Sequence, residues 1–180
     1  MMMNEGIDTG DILLVEKVKL DSKETGGSLF DKLSGVGAAL LVKTLDELEK
    51  GTVKPVKQNE TEATHVKMLD KSFGNIDFSM EAARIERLIR GLNPWPSAFT
   101  HFNGKLLKIW DADVCDDVVC ESGESVVNGM ITQVDNNSFI VKCGDNSLKI
   151  NELQLEGKKR MKTQDFLRGN HINTGDILGK

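Results

Sequence analysis

The sequence predicts a mixed α+β protein, in which a strand and a long helix precede a linker, a second helix and a five-stranded, OB-like β-barrel. Two changes of pattern support this prediction. Apolar residues recur at helical spacing before Asn93, and after Ser97 they alternate as in strands. Pro94 and Pro96 lie between the two patterns and must end the helix, because proline has no N–H to donate and disfavours a helical residue before it.

The first element is a glycine-flanked loop, Gly6–Gly10, and Ile12–Val18 then alternates weakly between apolar and polar residues. From the residues alone we predict a tight turn before a strand, in which Asp8 or Thr9 accepts hydrogen bonds from loop N–H groups. The sequence has no P-loop, no paired metal-ligand motif and no nucleophile elbow. Asp8 is therefore its one catalytic candidate, and the loop alone gives that carboxylate no definite chemical role.

The strongest helical pattern is Thr25–Lys50. Its leucines follow one face at helical spacing, and Gly51 suits the left-handed stop that follows many helices. Ser28 and Asp31 have the spacing of a capping box, with Asp in place of the usual Glu. One long helix with one candidate strand makes an incomplete α/β unit, because a sheet needs further strands.

Residues 59–77 are polar, lack a clear apolar period and are expected to form a linker. A second helix is predicted over Phe78–Leu92, because its apolar residues share one face: Ile85, Leu88, Ile89 and Leu92. The arginines of this helix fall on a different arc: Arg84, Arg87 and Arg90. Two interpretations of this arc stay open, a solvated face and a face directed at phosphates.

The carboxy-terminal half has the alternation and the turn residues of a small barrel. Asn103-Gly104 is its strongest hairpin signal and separates two predicted strands, Ala98–Phe102 and Lys105–Trp110. Three more strands are predicted between short turns: Ser125–Val134, Ser138–Cys143 and Ser147–Leu155. A basic loop follows at Gly157–Gly169, with a short helix around Thr163–Leu167, and the polar tail gives little further signal.

Composition limits the classes of protein to which the chain can belong. Its 180 residues, 39% of them hydrophobic, can bury a core, and its apolar runs are far shorter than the ~20 residues of a membrane span. Met1–Met3 leads directly into polar residues, without the apolar core of a signal peptide. The three cysteines, Cys115, Cys120 and Cys143, lack metal-ligand spacing. We therefore expect free thiols, no metal site and a cytoplasmic protein.

The net charge of −5 argues mildly against nucleic acid, but the charges are unevenly distributed. The segment Asp113–Asn137 holds six acidic residues and no basic one, whereas 78–112 and 138–180 together hold 13 basic and 8 acidic residues. The densest basic cluster lies after the last predicted strand: Lys158, Lys159, Arg160, Lys162 and Arg168. From charge alone, a solvated loop and an RNA-binding loop both stay open.

Three stretches of the sequence are distinctive: GIDTGDILL at Gly6–Leu14, IRGLNPWPSAFT with GKLLKIWDA within Ile89–Ala112, and ELQLEGKKRM at Glu152–Met161. In this order they resemble motifs of the methionyl-tRNA formyltransferase family. The resemblance covers nearly the whole chain and implies a fragment, because the family carries a large formyl-transfer domain ahead of its GxDTGD loop. Residues 1–58 would then be the end of an α/β formyltransferase domain, and 78–180 a carboxy-terminal OB-like tRNA-binding domain.

The resemblance implies a catalytic role for Asp8. In this family the matching aspartate completes a site with an asparagine and a histidine, and the formyl donor is 10-formyltetrahydrofolate. By the same resemblance, the folate pocket is lined by residues of the first loop: Asn4, Glu5, Gly6, Ile7 and Asp8. No stretch like the family's His-Gly-Ser-Leu-Leu-Pro motif occurs in the 180 residues, so we expect the isolated chain to be inactive.

A tRNA partner is implied as well, since the family's acceptor is the amino group of methionine on the initiator tRNA, and its carboxy-terminal domain helps to hold that tRNA. We predict that basic side chains of this half contact RNA phosphates: Arg87, Lys105, Lys108, Lys158, Lys159 and Arg160. Lys105 and Lys108 are expected to point outward together from one strand face. No DNA or membrane partner is expected, and the oligomeric state stays open.

Two alternatives accompany this prediction. Another folate-dependent formyltransferase, such as one that acts on a nucleotide sugar, would share the GxDTGD-like loop, and LQLEGKKRM favours the tRNA enzyme. The second alternative is a stand-alone RNA-binding module without catalysis, which the missing histidine motif favours for the isolated chain.

Overall fold

The computed structural model describes residues 1–117 and 125–179. The α-helices and strands in these ranges are α1 (Gly26–Glu49), α2 (Ala82–Gly91), β1 (Ala98–Phe102), β2 (Lys105–Cys115), β3 (Ile131–Val134), β4 (Phe139–Lys142), β5 (Ser147–Leu155), β6 (Met161–Lys162) and α3 (Thr163–Leu167), and two 3-10 helices cover Glu60–Glu62 and Lys71–Gly74. The chain divides into two compact units, Met1–Glu24 with Ser28–Met68, and Thr25–Gly27 with Leu69–Lys180. Over the described ranges, no helix combines the length and the apolar character needed to cross a membrane.

In the first unit, Ile12 and Val56 form an antiparallel bridge, in which two backbone hydrogen bonds of 2.8 and 2.9 Å join them. The prediction of a strand over Ile12–Val18 is wrong beyond this bridge. A strand needs a neighbour that satisfies its N–H and C=O groups, and no described segment continues the ladder past Ile12.

Helix α1 confirms the predicted long helix to within one residue at each end. Gly51 has a φ of 66°, and its N–H donates to the Leu48 carbonyl at 3.0 Å, which confirms the predicted stop. The predicted capping box is wrong, because the helix begins at Gly26 and the Ser28 hydroxyl, already inside it, donates to the Glu24 carboxylate. None of the residues of α1 is buried in the described structure, and Leu41 and Leu45 are 60% and 57% exposed.

The second unit is built on one antiparallel sheet of six strands, in the order β1-β2-β5-β4-β3, with β6 paired to β5. The pairing follows an open path, because β1 and β3 do not pair with each other in the described part of the chain. The sequence predicted five strands, and β6 was missed because two residues are too short to show alternation. The other strands lie where alternation placed them, with changed ends at β2, β3 and β4.

Two turns determine where β2 and β3 begin. Asn103 and Gly104 both have a positive φ, 51° and 74°, and Phe102 pairs with Lys105, so the predicted hairpin is confirmed. The prediction that a strand starts at Ser125 is wrong, because β3 starts at Ile131. A turn precedes it, in which the Met130 N–H donates to the Val127 carbonyl at 3.0 Å. Part of the predicted acidic segment, 118–124 with Cys120, lies outside the described residues.

Helix α2 buries its apolar face on the sheet, where Ile85 and Ile89 join the core formed by Leu107, Ile109 and Phe139. The helix ends at Gly91, as the prolines predicted, but it begins at Ala82 rather than near Phe78. Its first N–H donates to the Asp145 carboxylate at 2.8 Å. An acceptor from the β4–β5 turn therefore caps the helix, and this contact accounts for the late start.

The carboxy-terminal tail takes part in the fold, although its polar sequence gave little signal. The Ile131 N–H of β3 donates to the Asp176 carbonyl at 2.8 Å, and the Gly179 N–H donates to the His101 carbonyl of β1 at 2.9 Å. Leu178 lies between these contacts and is 3% exposed. The tail thus spans the open edge between β3 and β1.

The tail also repeats a motif of the first loop, since Ile-x-Thr-Gly-Asp-Ile-Leu occurs at Ile7–Leu13 and again at Ile172–Leu178. In both copies the second isoleucine forms an antiparallel bridge, Ile12 with Val56 and Ile177 with Met130. In both, the leucine that follows is buried. The position of Asp8 is taken by Asn173 in the tail copy.

Candidate RNA-binding surface and catalytic loop

The basic loop is the turn of the β5–β6 hairpin. The Lys158 N–H donates to the Leu155 carbonyl at 2.9 Å, with Gly157 between them at a φ of 73°, where a side chain is disfavoured. The Gln154 side-chain amide donates to the Lys158 carbonyl at 2.9 Å and fixes the far side of the turn. Lys158 and Lys159 are exposed on this ordered turn. Their ammonium groups therefore project from a fixed backbone.

Arg160 has a defined position at the end of the turn. Its guanidinium carbon lies 4.8 Å from the centroid of the Trp110 ring, and one guanidinium nitrogen lies 2.5 Å from a carboxylate oxygen of Glu152. The hydrogen bond from Arg160 and its charge lower the pKa of Glu152, so this carboxylate is ionised at neutral pH. The Arg160 side chain stays 43% exposed. The guanidinium is thus oriented and still accessible to an anion.

Lys108 shares the Trp110 ring with Arg160, because its ammonium nitrogen lies 5.6 Å from the ring centroid. Lys105 does not lie on the same strand face as Lys108. Residues three apart on a strand point to opposite faces, and in β2 the buried residues Leu107 and Ile109 alternate with Lys108 and Trp110. The expectation that both lysines point outward together is wrong, although Lys105 is exposed at the start of the strand.

Five of the six predicted RNA contacts lie on β2 or on the turn that joins β5 to β6. The backbone of Leu106, next to Lys105, accepts the Glu156 N–H at 2.8 Å, and Lys108 is the register partner of Gln154. Lys105 lies on the other face of β2, and we name the remaining cations with their aromatic support the β2–β6 basic surface: Lys108, Trp110, Lys158, Lys159 and Arg160. Acidic groups lie farther along β2, where Asn151 donates to the Asp111 and Asp113 carboxylates.

Arg87 is the exception among the predicted contacts. It lines a groove of about 420 Å³ on α2, together with Phe73, Asn75, Met80, Arg84 and Leu88. None of the other five predicted RNA contacts lines that groove. Arg87 and Arg84 are exposed there, so the helical arginine arc is solvated in part and separate from the β2–β6 basic surface.

The first loop holds Asp8 in a left-handed backbone conformation, with a φ of 57°. The Gln58 side-chain amide donates to the Asp8 and Gly10 carbonyls at 2.8 and 2.7 Å. Asn4 accepts hydrogen bonds from the Gly6 N–H at 3.2 Å and from the Thr9 hydroxyl at 2.8 Å. The carboxylate of Asp8 is exposed beside a cavity of about 280 Å³, which Asn4, Gly6 and Ile7 also line and Glu5 does not.

Sequence reasoning missed Gln58 and Trp110 as parts of these two sites. Gln58 lies about fifty positions from the loop that it binds, and no local pattern signals such a contact. Trp110 was predicted only as the last residue of a strand, and its role as the surface beneath Arg160 and Lys108 required the strand register. Its indole N–H is buried without a hydrogen-bond partner among the described residues.

The residues that form the β2–β6 basic surface lie within the part of the chain that matches a known family. The family model described as "Formyl transferase, C-terminal domain" matches residues 68–171, which is more than half of the chain. The chain belongs to this family. The match includes the β2–β6 basic surface and α2, whereas the first loop and the last residues of the tail lie outside it.

Curated relatives extend the similarity to all 180 residues of the chain. The methionyl-tRNA formyltransferase of Lachnospira eligens is 62% identical over 180 residues, all of this chain and 57% of the relative. The methionyl-tRNA formyltransferase of Agathobacter rectalis is 49% identical over 178 residues, 99% of this chain and 56% of the relative. The chain therefore spans a little more than half the length of the curated relatives that it matches.

Solved structures show the same fold at low identity. HypX from Aquifex aeolicus superposes with a TM-score of 0.61 at 14% identity, over 95% of this chain and 30% of HypX. WlaRD, a sugar 3N-formyl transferase crystallised with dTDP and 5-N-formyl-THF, superposes with a TM-score of 0.61 at 19% identity, over 87% of this chain and 53% of WlaRD. At these identities the likeness concerns the fold alone.

Proposed function

We propose that the chain is the carboxy-terminal portion of a methionyl-tRNA formyltransferase, which transfers a formyl group from 10-formyltetrahydrofolate to the amino group of methionyl initiator tRNA in translation initiation. One observation carries the proposal, the 62% identity over all 180 residues to a relative of that name. Two features of the molecule support it, the loop with Asp8 and the β2–β6 basic surface.

In this reaction the bond between the formyl carbon and the folate nitrogen breaks, and a bond to the methionine nitrogen forms. The attacking amine must lose a proton, and the tetrahedral intermediate carries an oxyanion that needs fixed donors. We assign two roles to Asp8. Its carboxylate orients the histidine of the complete enzyme and favours the protonated imidazole, and it helps to remove the amine proton. Gln58 supports this assignment, because its two hydrogen bonds fix the backbone from which the Asp8 carboxylate extends.

We assign the loop Asn4–Asp8 to one wall of the folate pocket. The cavity beside it, about 280 Å³, is below the usual size of a site for a ligand as large as a folate, about 300–1,000 Å³. It fits part of such a ligand. Gly6 and Gly10 permit close contacts within the loop region, since a Cβ at Gly10 would meet the Met2 carbonyl oxygen at 1.7 Å. The folate supplies the formyl group, and the loop would position it.

The tRNA is assigned to the β2–β6 basic surface. Lys158 and Lys159 are exposed on an ordered turn, and Arg160 presents an oriented guanidinium, so the three cations suit phosphates spaced along an RNA backbone. Arg87 would contact the same RNA only where it extends to the groove on α2. Contacts of this kind position RNA without reading its sequence.

We also propose that the sheet of the second unit acts as an OB-like barrel. Its supporting observation is the tail, which hydrogen-bonds to β3 through Ile131 and to β1 through His101 and so spans the edge left open by the strand pairing. OB folds commonly bind nucleic acids, so a barrel would be consistent with an RNA-binding role for this unit.

The experiment compares the isolated chain with a hybrid, in which the residues that precede the matching segment of the Lachnospira eligens relative are joined ahead of Met1. We expect the hybrid to formylate methionyl-tRNA and the isolated chain to show no turnover, because lost oxyanion donors cost on the order of 10²–10³-fold each. Asp8→Ala should inactivate the hybrid. The matched control is Asn173→Ala, at the same position of the tail repeat, which should leave its activity unchanged.

Two results would contradict the proposal. One is turnover by the isolated chain that Asp8→Ala abolishes. The other is a folded hybrid that formylates an amino sugar nucleotide and not methionyl-tRNA, which would favour the nucleotide-sugar alternative.

A further inference from the structure

Trp95 is exposed on a turn whose backbone is fixed. The residue is 59% exposed. Of the two prolines that flank it, Pro94 is exposed and Pro96 is buried. An indole carries one of the largest apolar surfaces of any side chain, so its exposure on a rigid support leaves a large flat ring available for contact.

Three hydrogen bonds fix the turn. The Ser97 N–H donates to the Leu92 carbonyl at 2.9 Å and closes the loop. The Gly27 N–H donates to the Asn93 carbonyl at 2.8 Å, and the Asn93 side-chain amide donates to the Trp110 carbonyl at 3.3 Å. None of these contacts uses the indole of Trp95. The backbone that carries the ring is therefore fixed before any ligand arrives, which lowers the entropy lost on binding.

One of these hydrogen bonds connects the turn to the β2–β6 basic surface. Asn93, two residues from Trp95, contacts the backbone of Trp110, and the ring of Trp110 carries Lys108 and Arg160 at 5.6 and 4.8 Å. An exposed aromatic ring thus lies on a turn that is hydrogen-bonded to the strand residue beneath these cations. Proteins that bind single-stranded nucleic acid combine these two features, a cationic path for the backbone and an aromatic face for a base.

We propose that Trp95 is a stacking site for an unpaired nucleobase of an RNA strand whose phosphates lie on the β2–β6 basic surface. This proposal rests on the proposed function, because it takes RNA as the partner of that surface. It adds a requirement that phosphate contacts alone do not make, since a base inside a duplex offers no free face to the indole.

The test uses two RNA hairpins of the same stem, one blunt and one with a short unpaired 3′ end. Trp95 and Trp110 are the two tryptophans of the chain, so Trp95→Phe keeps an aromatic face and removes the Trp95 signal. We expect the overhang hairpin to quench tryptophan fluorescence in the wild type, and Trp95→Phe to lose that quenching while it binds labelled RNA nearly as tightly. Trp95→Ala should weaken binding of the overhang hairpin by at least about fivefold and leave the blunt hairpin unchanged.

Equal quenching by both hairpins, or equal effects of Trp95→Ala on both, would overturn the stacking site. If either result occurs but the affinity for the blunt hairpin still falls with rising salt, the RNA-binding part of the proposed function survives. Failure of both hairpins to bind the wild type would overturn both proposals.

Discussion

The guanidinium of Arg160 lies over the ring of Trp110, with its carbon 4.8 Å from the ring centroid, and donates a hydrogen bond to Glu152. The ring and the carboxylate together fix the plane of the guanidinium. Lys158 and Lys159 have no comparable support in the described contacts, apart from the backbone of their turn. Within the β2–β6 basic surface, Arg160 is therefore the cation with the most defined geometry.

Arg160→Lys tests the importance of that geometry. Lysine keeps the charge but loses the planar fork and its stacking on Trp110, so we expect weaker tRNA binding, by several-fold, at nearly the same dependence on salt. Lys159→Arg is the matched control and should bind as the wild type does. Position 159 is exposed, and among the described contacts no ring or carboxylate would orient a guanidinium there. Affinities measured at several salt concentrations distinguish the two variants. An Arg160→Lys variant with wild-type affinity would show that this position acts as a simple charge.

The contact between Asp145 and Ala82 predicts a pH dependence of stability. The Ala82 N–H, followed by other backbone donors, lowers the pKa of Asp145 below its usual value of 3.8. The ionised carboxylate therefore stabilises the folded state fully above pH 3.8, and this contribution is lost as the pH falls through the lowered pKa. We expect Asp145→Ala to lower Tm at pH 7, with a difference from the wild type that shrinks below pH 3.8.

The control for this prediction is Asp165→Ala, whose carboxylate makes an exposed ion pair with Arg168 at 3.1 Å. Exposed pairs contribute little, so its Tm should differ little from that of the wild type at any pH. Thermal unfolding between pH 7 and pH 2 measures both variants. A Tm difference for Asp145→Ala that stays constant across this range would contradict a role for the charged carboxylate at the helix start.

The tail makes a separate prediction about stability. Leu178 is 3% exposed, so Leu178→Ala should destabilise the second unit by about 2–5 kcal/mol, as truncations of buried leucines do. Leu45→Ala is the matched control, since Leu45 is 57% exposed on α1 and should change the free energy of unfolding by less than about 0.5 kcal/mol. Urea unfolding measures the difference. Equal stabilities of the two variants would show that the tail does not close the sheet.

Local patterns were enough to predict α1, the end of α2 and the tight hairpin. The leucine spacing of α1, the prolines after α2 and the Asn103-Gly104 turn each act within a few residues, so the sequence carries their signal directly. The same holds for β5 and for α3, whose predicted bounds match the structure. These elements depend on periodicity and turn chemistry, which a single sequence contains.

Contacts between distant residues were not predictable in the same way. Asp145 caps a helix that begins sixty-three positions before it, and Gln58 binds the loop that holds Asp8. The tail gave little signal because Ile172 and the Ile177-Leu178 pair are separated by polar residues and show no regular apolar period. For the candidate site, the basic residues could be identified in the sequence, and their contacts with RNA stay a prediction. The positions of Arg160 and Lys108 on Trp110 required the register of the strands, and the separation of Arg87 required the packing of α2.

The salt dependence of tRNA binding tests the central claim, that the β2–β6 basic surface binds RNA phosphates. Each neutralised phosphate contributes a slope of about −0.7 to −0.9 to the dependence of log affinity on log salt. Replacing Lys158, Lys159 and Arg160 together with alanine should flatten the slope by up to about three contacts and weaken all tRNAs alike.

The control removes the same charge from exposed lysines of the first unit, Lys17, Lys19 and Lys54, and should leave the slope unchanged. Filter binding of tRNA to the wild type and to both triple variants, at several salt concentrations, is the decisive measurement. The account predicts a flatter slope for the Lys158, Lys159 and Arg160 variant alone. An unchanged slope in that variant would contradict it and make the cluster a solvated turn.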